Sequence, residues 1–265
     1  IDNAYLYKGK GFVRTLAVIT RSLLRFDFKN IGFAFSVLFQ KRKDPFDTYS
    51  LQFNLQKKYN IDVKYFVLLG DYGLNDKNLP YSNSNVISLV KRLADLALVG
   101  VHPSFGSNAE ISVLQKEITR LEDIQKREVF FSRQHFLQLS FPETYKRLIS
   151  LGITEDFTMG YASELGFRAG IASPFSFYDL DMEQSLSIKV YPFAITDDIL
   201  KFNLQLSPED VNSEIAELVE SVKSINGTLI SVWHNDTFSN FGVWEGWKNV
   251  YEDMIKQIIQ KDGNN

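Results

Sequence analysis

GTLISVWHND, residues 227–236, is a run of apolar and β-branched side chains that ends abruptly at His234 and its polar neighbours. Such a run is typical of a buried strand. Two further segments share this form, LALVGVH at 96–102 and VFFSRQH at 129–135. The chain has 3 histidines, so each of them closes a predicted strand that follows a predicted helix. Because catalytic groups of parallel α/β folds collect where the strands end, we expect the three imidazoles on one rim.

Composition narrows the class of protein. The chain has 265 residues, of which 45% are hydrophobic, and its 22 Phe and 12 Tyr suffice for a sizeable core. The formal net charge of -3 lacks the basic excess of a nucleic-acid-binding protein, so nucleic acid is not an expected partner. The chain has no cysteine, which excludes disulfides and thiolate metal sites. No apolar stretch reaches the roughly 20 residues that a membrane-spanning helix needs.

Predicted helices and strands alternate along the chain without a linker or a composition break. We expect helices over residues 12–24, 31–38, 44–58, 86–96, 108–125, 140–152, 207–226 and 244–260. We expect strands over residues 61–69, 96–102, 129–135, 156–161, 166–172, 187–190 and 227–236. The alternation predicts one α/β domain over residues 1–265, a barrel or near-barrel with a parallel sheet. The chain starts at Ile1 rather than Met, so we expect a trimmed N-terminus, and no signal peptide is visible.

Polar residues near the predicted strand ends include several with catalytic chemistry. These are Asp2, Asp71, His102, Arg133, His135, Asp156, Arg168, His234 and Asp236. One carboxylate and two neutral imidazoles suffice to hold a catalytic divalent metal, and a remaining histidine can act as a general acid. That set suits metal-assisted hydrolysis, in which the ion polarises the scissile carbonyl and lowers the pKa of the attacking water.

Aromatic side chains near the same rim could stack on sugar faces. They are Tyr72, Phe105, Phe136, Tyr161, Trp233, Trp244 and Trp247. For any single one of them, ordinary packing remains the alternative. We expect a substrate to contact Asp71, Tyr72, Tyr161, Arg168 and Trp233.

Six motifs together resemble one known family. They are IDNAYLYKGKG at 1–11, GDYG at 70–73, VHPSFGSN at 101–108, SRQHF at 132–136, DFTMGYASELGFRAG at 156–170 and SVWHND at 231–236. Over nearly its whole length the chain resembles the polysaccharide deacetylases (NodB homology, carbohydrate esterase family four), and it looks closest to a branch found in Bacteroidetes-type bacteria. The resemblance implies a distorted (β/α) barrel of about seven parallel strands. It also implies a divalent metal, most commonly zinc, and removal of N- or O-acetyl groups from an acetylated glycan or amino sugar.

The same resemblance implies a metal site. Asp2 matches the second acid of the family's first motif, which is a metal ligand, and the first acid, the general base, would directly precede Ile1. His102 matches the first histidine of the family's His-x-x-x-His motif. The position four residues on is Gly106, which departs from the family pattern. We expect His135 to supply the third ligand, with Asn108 or water as alternatives.

Three further roles follow from the resemblance. Arg133 matches the arginine that orients the base. Asp156 lies in the region of the family's next acidic motif and is predicted to be catalytic. His234 matches the histidine that protonates the leaving group.

Other interpretations of the sequence stay open. The chain could be a glycan-binding barrel that has lost catalysis, or a different metal hydrolase on a related barrel. A lone histidine at a strand end is commonly a polar cap, Asp71 can belong to a simple turn, and Asp236 can cap the segment after it. Arg168 can pair with Asp156 for purely structural reasons. Neither the oligomeric state nor the location, in the cytoplasm or the cell envelope, can be predicted.

Overall fold

The computed structural model describes residues 1–10, 20, 28–39 and 41–259. Its strands are β1 Lys64–Val67, β2 Leu98–Val101, β3 Phe131–Ser132, β4 Glu155–Asp156, β5 Phe175–Asp179, β6 Gln184–Val190, β7 Ile195–Thr196 and β8 Ser231–Val232. Its α-helices are α1 Phe28–Leu38, α2 Tyr49–Tyr59, α3 Ser84–Leu96, α4 Ile111–Gln125, α5 Glu143–Ser150, α6 Val211–Glu214, α7 Ala216–Ser224 and α8 Val250–Ile259. Shorter helical turns lie at Gly106–Asn108, His135–Leu137, Ile199–Asn203, Thr237–Ser239, Gly242–Trp244 and Trp247–Asn249.

The protein has a mixed α/β fold around a mostly parallel sheet of six strands. The strand order is β1-β2-β3-β4-β6-β5, and every neighbouring pair is parallel except β5 with β6. Strands β7 and β8 form a separate parallel pair. A closed barrel of about seven strands is therefore not confirmed, since the described strands pair in two sheets and the edge strand β5 is antiparallel.

Apolar side chains at helical spacing explain why the helices cover this sheet. On α3, Val86, Leu89, Val90 and Leu93 are all at most 4% exposed, which is the i, i+3, i+4, i+7 pattern of one buried stripe. Burial of each such side chain contributes about 1.5–3 kcal/mol. The two crossover helices α3 and α4 thereby fix β1, β2 and β3 side by side with their carboxyl ends on one edge.

Residues 1–3 lie between the two sheets. The carbonyl of Ile1 accepts a hydrogen bond from the Leu68 N–H just after β1, at 3.3 Å. The side-chain amide of Asn235, just after β8, donates to the Asn3 carbonyl at 3.0 Å. Asp2 is therefore held at the rim where the strands of both sheets end.

Several sequence predictions need correction. The helix predicted from residue 44 begins only at Tyr49, because the Asp44 carboxylate is engaged elsewhere: it accepts the backbone N–H groups of Leu6 and Tyr7, both at 2.8 Å. No strand forms over 166–172, and the hairpin β5–β6 follows instead. The helix predicted to open at residue 207 begins at Val211, and the last helix begins at Val250 rather than 244.

Two further predictions concern a helix near the N-terminus and membrane-spanning helices. The helix predicted over 12–24 lies outside the described residues apart from position 20. Among the described helices, none is long and apolar enough to cross a membrane.

Candidate active site

The three histidines lie at the carboxyl ends of three strands, as the sequence predicts. His102 directly follows β2, and its N–H donates to the Val67 carbonyl of β1 at 3.1 Å. His135 follows β3 in a short turn and donates its N–H to the Pro103 carbonyl at 3.1 Å. His234 follows β8 by two residues. The strands therefore position all three backbones on the same rim.

Asp2 brings the three imidazoles together. Its Oδ1 lies 3.2 Å from His102 Nε2, and its Oδ2 lies 3.7 Å from His135 Nε2 and 3.6 Å from His234 Nε2. One ligand atom from each of Asp2, His102 and His135 lies within 4.8 Å of the others. This is the set that the sequence predicts to hold a metal.

Hydrogen bonds on the far side of the rings fix which nitrogen carries the proton. His102 Nδ1 contacts the Arg133 carbonyl, which can only accept, so Nδ1 is the donor. His135 Nδ1 lies 2.8 Å from an Asp76 carboxylate oxygen, which is likewise an acceptor. In the neutral rings both Nε2 lone pairs therefore face Asp2. Burial lowers the pKa of His102 to about 4, which keeps this ring neutral.

These residues fit a metal ion. Three acceptor atoms converge, and Asp2 Oδ1 is buried without a hydrogen-bond donor although His102 Nε2 lies beside it. Buried acceptors that face one another are unfavourable unless a cation lies between them. Carboxylate oxygen and imidazole nitrogen are donors that Zn²⁺ and similar divalent ions accept.

A carboxylate pair surrounds His234, the third histidine. Asp197 follows β7, and its Oδ1 lies 2.9 Å from His234 Nδ1, while its Oδ2 accepts the His234 backbone N–H at 2.6 Å. Thr237 donates its hydroxyl to the same Oδ2. Asp198 Oδ2 lies 3.8 Å from Nδ1. Burial acts to lower the pKa of His234, but the charge and hydrogen bond of Asp197 outweigh it and raise that pKa to about 10. His234 is thus a cation that presents an Nε2–H proton to the site.

Asp76, Asp197 and Asp198 are site residues that the sequence analysis missed. Asp197 and Asp198 come directly after the apolar run of β7, in the context that identified the histidines. Applying the same rule to aspartates would have found them. Asp76 gives no such signal, because it lies within the long loop between β1 and α3.

Arg133 and Asp156 are buried beneath the rim. Arg133 donates from Nη1 to the Phe157 carbonyl at 3.0 Å, and burial lowers its pKa to about 10. Asp156 accepts the hydroxyls of Ser132 at 2.6 Å and Thr158 at 2.7 Å. Burial raises the pKa of Asp156. Its carboxylate therefore belongs to a closed hydrogen-bond network, and a catalytic role for it stays a prediction.

The five residues predicted to contact substrate have varied surroundings. Asp71 forms ion pairs with Lys116 at 2.9 Å and Arg120 at 2.6 Å on α4. Trp233 donates to Ser231 Oγ at 3.1 Å and its ring packs on Tyr251. Tyr72 and Tyr161 are exposed, and so is Arg168, whose guanidinium lies 6.0 Å from the Phe141 ring centre. Their contact with a substrate stays a prediction.

The alternative roles considered for Asp236, as a cap, and for Arg168, as the ion-pair partner of Asp156, are not seen in the described residues. Asp236 accepts the Trp244 indole N–H at 3.0 Å and makes no side-chain cap to the following turn. Among the ion pairs of the described residues, there is none between Arg168 and Asp156. Asp156 is bound instead by the hydroxyls of Ser132 in β3 and of Thr158 just after β4.

An exposed aromatic pair borders the histidines. Phe136 is 59% exposed and Phe105 is 39% exposed, with ring centres 6.0 Å apart. The Phe136 ring lies 4.2 Å from that of His135. Phe136 has φ 56°, a left-handed conformation that is costly for a bulky side chain. The local backbone therefore presents an apolar face beside the candidate metal ligands.

Comparison with known proteins identifies the fold. No protein-family model and no curated protein match the chain. Two similar crystal structures are each described as a "putative polysaccharide deacetylase". The one from Mycobacterium smegmatis has a TM-score of 0.53 and 13% identity, covering 77% of this chain and 68% of that one. The other, from Bordetella bronchiseptica and described as involved in O-antigen biosynthesis, has a TM-score of 0.42 and 13% identity, covering 81% and 76%. By the first of these similarities, the chain has the fold of a polysaccharide deacetylase.

Proposed function

We propose that this protein is a metal-dependent hydrolase that removes N- or O-acetyl groups from a glycan. The observation that carries the proposal is the convergence of three acceptor atoms, from Asp2, His102 and His135, beside the protonated His234. A metal site next to a proton donor is one arrangement that can hydrolyse an amide or ester. The glycan as substrate is supported by the fold and by the sequence motifs.

The metal-binding residues are Asp2, His102 and His135. The three would hold a divalent ion, most suitably Zn²⁺, through one carboxylate oxygen and two Nε2 atoms. When bound, such an ion polarises an acyl carbonyl and lowers the pKa of water. In the neutral rings, the contacts of His102 with the Arg133 carbonyl and of His135 with Asp76 place the proton on Nδ1 and leave the Nε2 lone pair for an ion.

His234 is the proposed general acid. Its Nε2–H faces the site at 3.6 Å from Asp2 Oδ2, and Asp197 stabilises the imidazolium that holds this proton. When the bond between the acetyl carbon and the leaving nitrogen or oxygen breaks, that atom must receive a proton, which His234 would supply so that a neutral amine or alcohol departs. The general base implied by the sequence motif would directly precede Ile1, so the assay uses a protein extended before that residue.

Two measurements test the proposal. Purified extended protein is expected to contain about one equivalent of zinc and to release acetate from acetylated amino sugars. A His234→Ala variant is expected to keep the zinc and to lose acetate release, because only its proton donor is gone. A metal-loaded protein that releases no acetate from any acetylated glycan would refute the proposed reaction.

A non-catalytic glycan-binding barrel is the second candidate. One observation favours it: Gly106 occupies the position of the family's second motif histidine. In that case the His234→Ala variant would bind glycan as the unmodified protein does, and neither would turn it over.

A further inference from the structure

Asp76 is a buried carboxylate on the loop of residues 70–83, which joins β1 to α3. It is 6% exposed. Its Oδ1 lies 2.8 Å from His135 Nδ1, and its two oxygens accept the backbone N–H of Phe105 at 3.1 and 3.2 Å. Its own carbonyl accepts the Gly73 N–H at 2.9 Å, which closes a turn within the loop. The carboxylate is thus fixed by the loop and by the neighbouring strand end.

We infer that Asp76 is a positioning residue that makes His135 a metal ligand, an inference that rests on the proposed function. A carboxylate on one ring nitrogen fixes the tautomer and the orientation of a ligating imidazole and makes it a better donor. Asp76 holds the proton of His135 on Nδ1, so that Nε2 presents a lone pair towards Asp2.

His135 lies beyond the end of β3, in the short helical turn His135–Leu137. The next two residues, Phe136 and Leu137, have φ 56° and 52°. The His135 N–H still donates to the Pro103 carbonyl, but the chain turns away from β2 directly after this residue. The ring packs against Phe136 and His102, and the hydrogen bond to Asp76 is the directional contact that orients its nitrogen atoms.

The loop is held firmly enough to serve this purpose. The Asn78 side-chain amide donates to the Gly70 carbonyl at 2.7 Å, and Arg120 Nη1 on α4 donates to the Leu69 carbonyl at 2.7 Å. These bonds fix both arms of the loop around Asp76. A third ligand at the unusual position 135 thus comes with its own supporting carboxylate from a different part of the chain.

The test compares Zn²⁺ affinity in purified full-length protein, measured by competition with a chromophoric chelator. Asp76→Asn keeps the shape of the side chain and removes its charge. Lys77→Gln is the control, because it changes a neighbouring exposed residue whose contacts among the described residues are with the Gly73 carbonyl and the Tyr72 ring. Each change is also made in a His135→Ala background. Absorption of bound Co²⁺ reports the ligand geometry independently of activity.

We expect Asp76→Asn to weaken Zn²⁺ binding about 10- to 100-fold and to alter the Co²⁺ spectrum, whereas Lys77→Gln changes neither. In the His135→Ala background, Asp76→Asn is expected to have no further effect, because the ligand it supports is gone. The positioning role would be overturned if wild type and Asp76→Asn bound Zn²⁺ with equal affinity. It would also be overturned if Asp76→Asn weakened Zn²⁺ binding as much in the His135→Ala background as in the wild type. Either result would leave the proposed function standing. Absence of Zn²⁺ binding by the wild type would overturn both.

Discussion

Glu117 on α4 makes the stability of this protein depend on pH in a direction that can be calculated. It is 1% exposed, its Oε2 accepts the Ser104 N–H at 2.9 Å, and its Oε1 is buried without a hydrogen-bond partner. Burial raises the pKa of Glu117 from 4.5 to about 7. At about 1.4 kcal/mol for each unit, the ionised form costs the native state about 3 kcal/mol relative to the protonated form.

Since the pKa is higher in the folded protein, the favourable contribution is complete below the unfolded value of about 4.5 and is lost as the pH rises through about 7. Glu117→Gln mimics the protonated side chain at every pH. We expect the variant and the wild type to have similar free energies of unfolding at pH 5, and the variant to be more stable by about 3 kcal/mol at pH 8.

Urea unfolding followed by the fluorescence of the 3 Trp, with chelator present, measures this difference. Other titrating groups are common to both proteins and cancel. If the two stabilities stay parallel from pH 5 to pH 8, Glu117 does not titrate in this range and the reasoning fails.

Two further predictions concern single side chains. Gly100→Ala would bring a Cβ within 2.6 Å of the Phe131 carbonyl oxygen, so we expect the free energy of unfolding in urea to fall by roughly 1–3 kcal/mol. Gly73→Ala serves as the tolerant control, because its Cβ would meet its nearest atom at 4.0 Å. Phe136→Ala removes the exposed ring beside His135, and we expect a higher KM for glycan with a smaller change in kcat; an unchanged KM would show that the ring does not contact substrate.

The rim of histidines could be predicted because each signal is local. An apolar run followed by a histidine is contained within one short segment, and the parallel order then brings the three segments together. The pairing of Asp76 with His135 and of Asp197 with His234 could not be found in this way, because the partners are 59 and 37 residues apart. A single sequence does not reveal which distant carboxylate a given imidazole meets.

Some predicted boundaries of helices and strands were wrong for a related reason. The sequence around Asp44 has the form of a helix start, yet its carboxylate binds backbone groups 36 to 38 residues earlier in the chain. The edge strand β5 was missed because the preceding segment, residues 166–172, has a similar apolar content but no partner strand. In both places tertiary contacts outweigh local preference.

Residues 1–3 are bound between the end of β1 and the segment after β8, and this position determines when the candidate site can assemble during biosynthesis. The Asn235 side chain, which donates a hydrogen bond to the Asn3 carbonyl, is 232 residues away from Asn3 in the sequence. Closing contacts of such separation is slow, because the entropy of the intervening chain is lost before the contact forms. On a ribosome, Asn3 and its neighbour Asp2 emerge long before Asn235, which follows Asn3 by 232 residues. We therefore expect the candidate metal ligands to come together only after the segment that carries Asn235 has been synthesised.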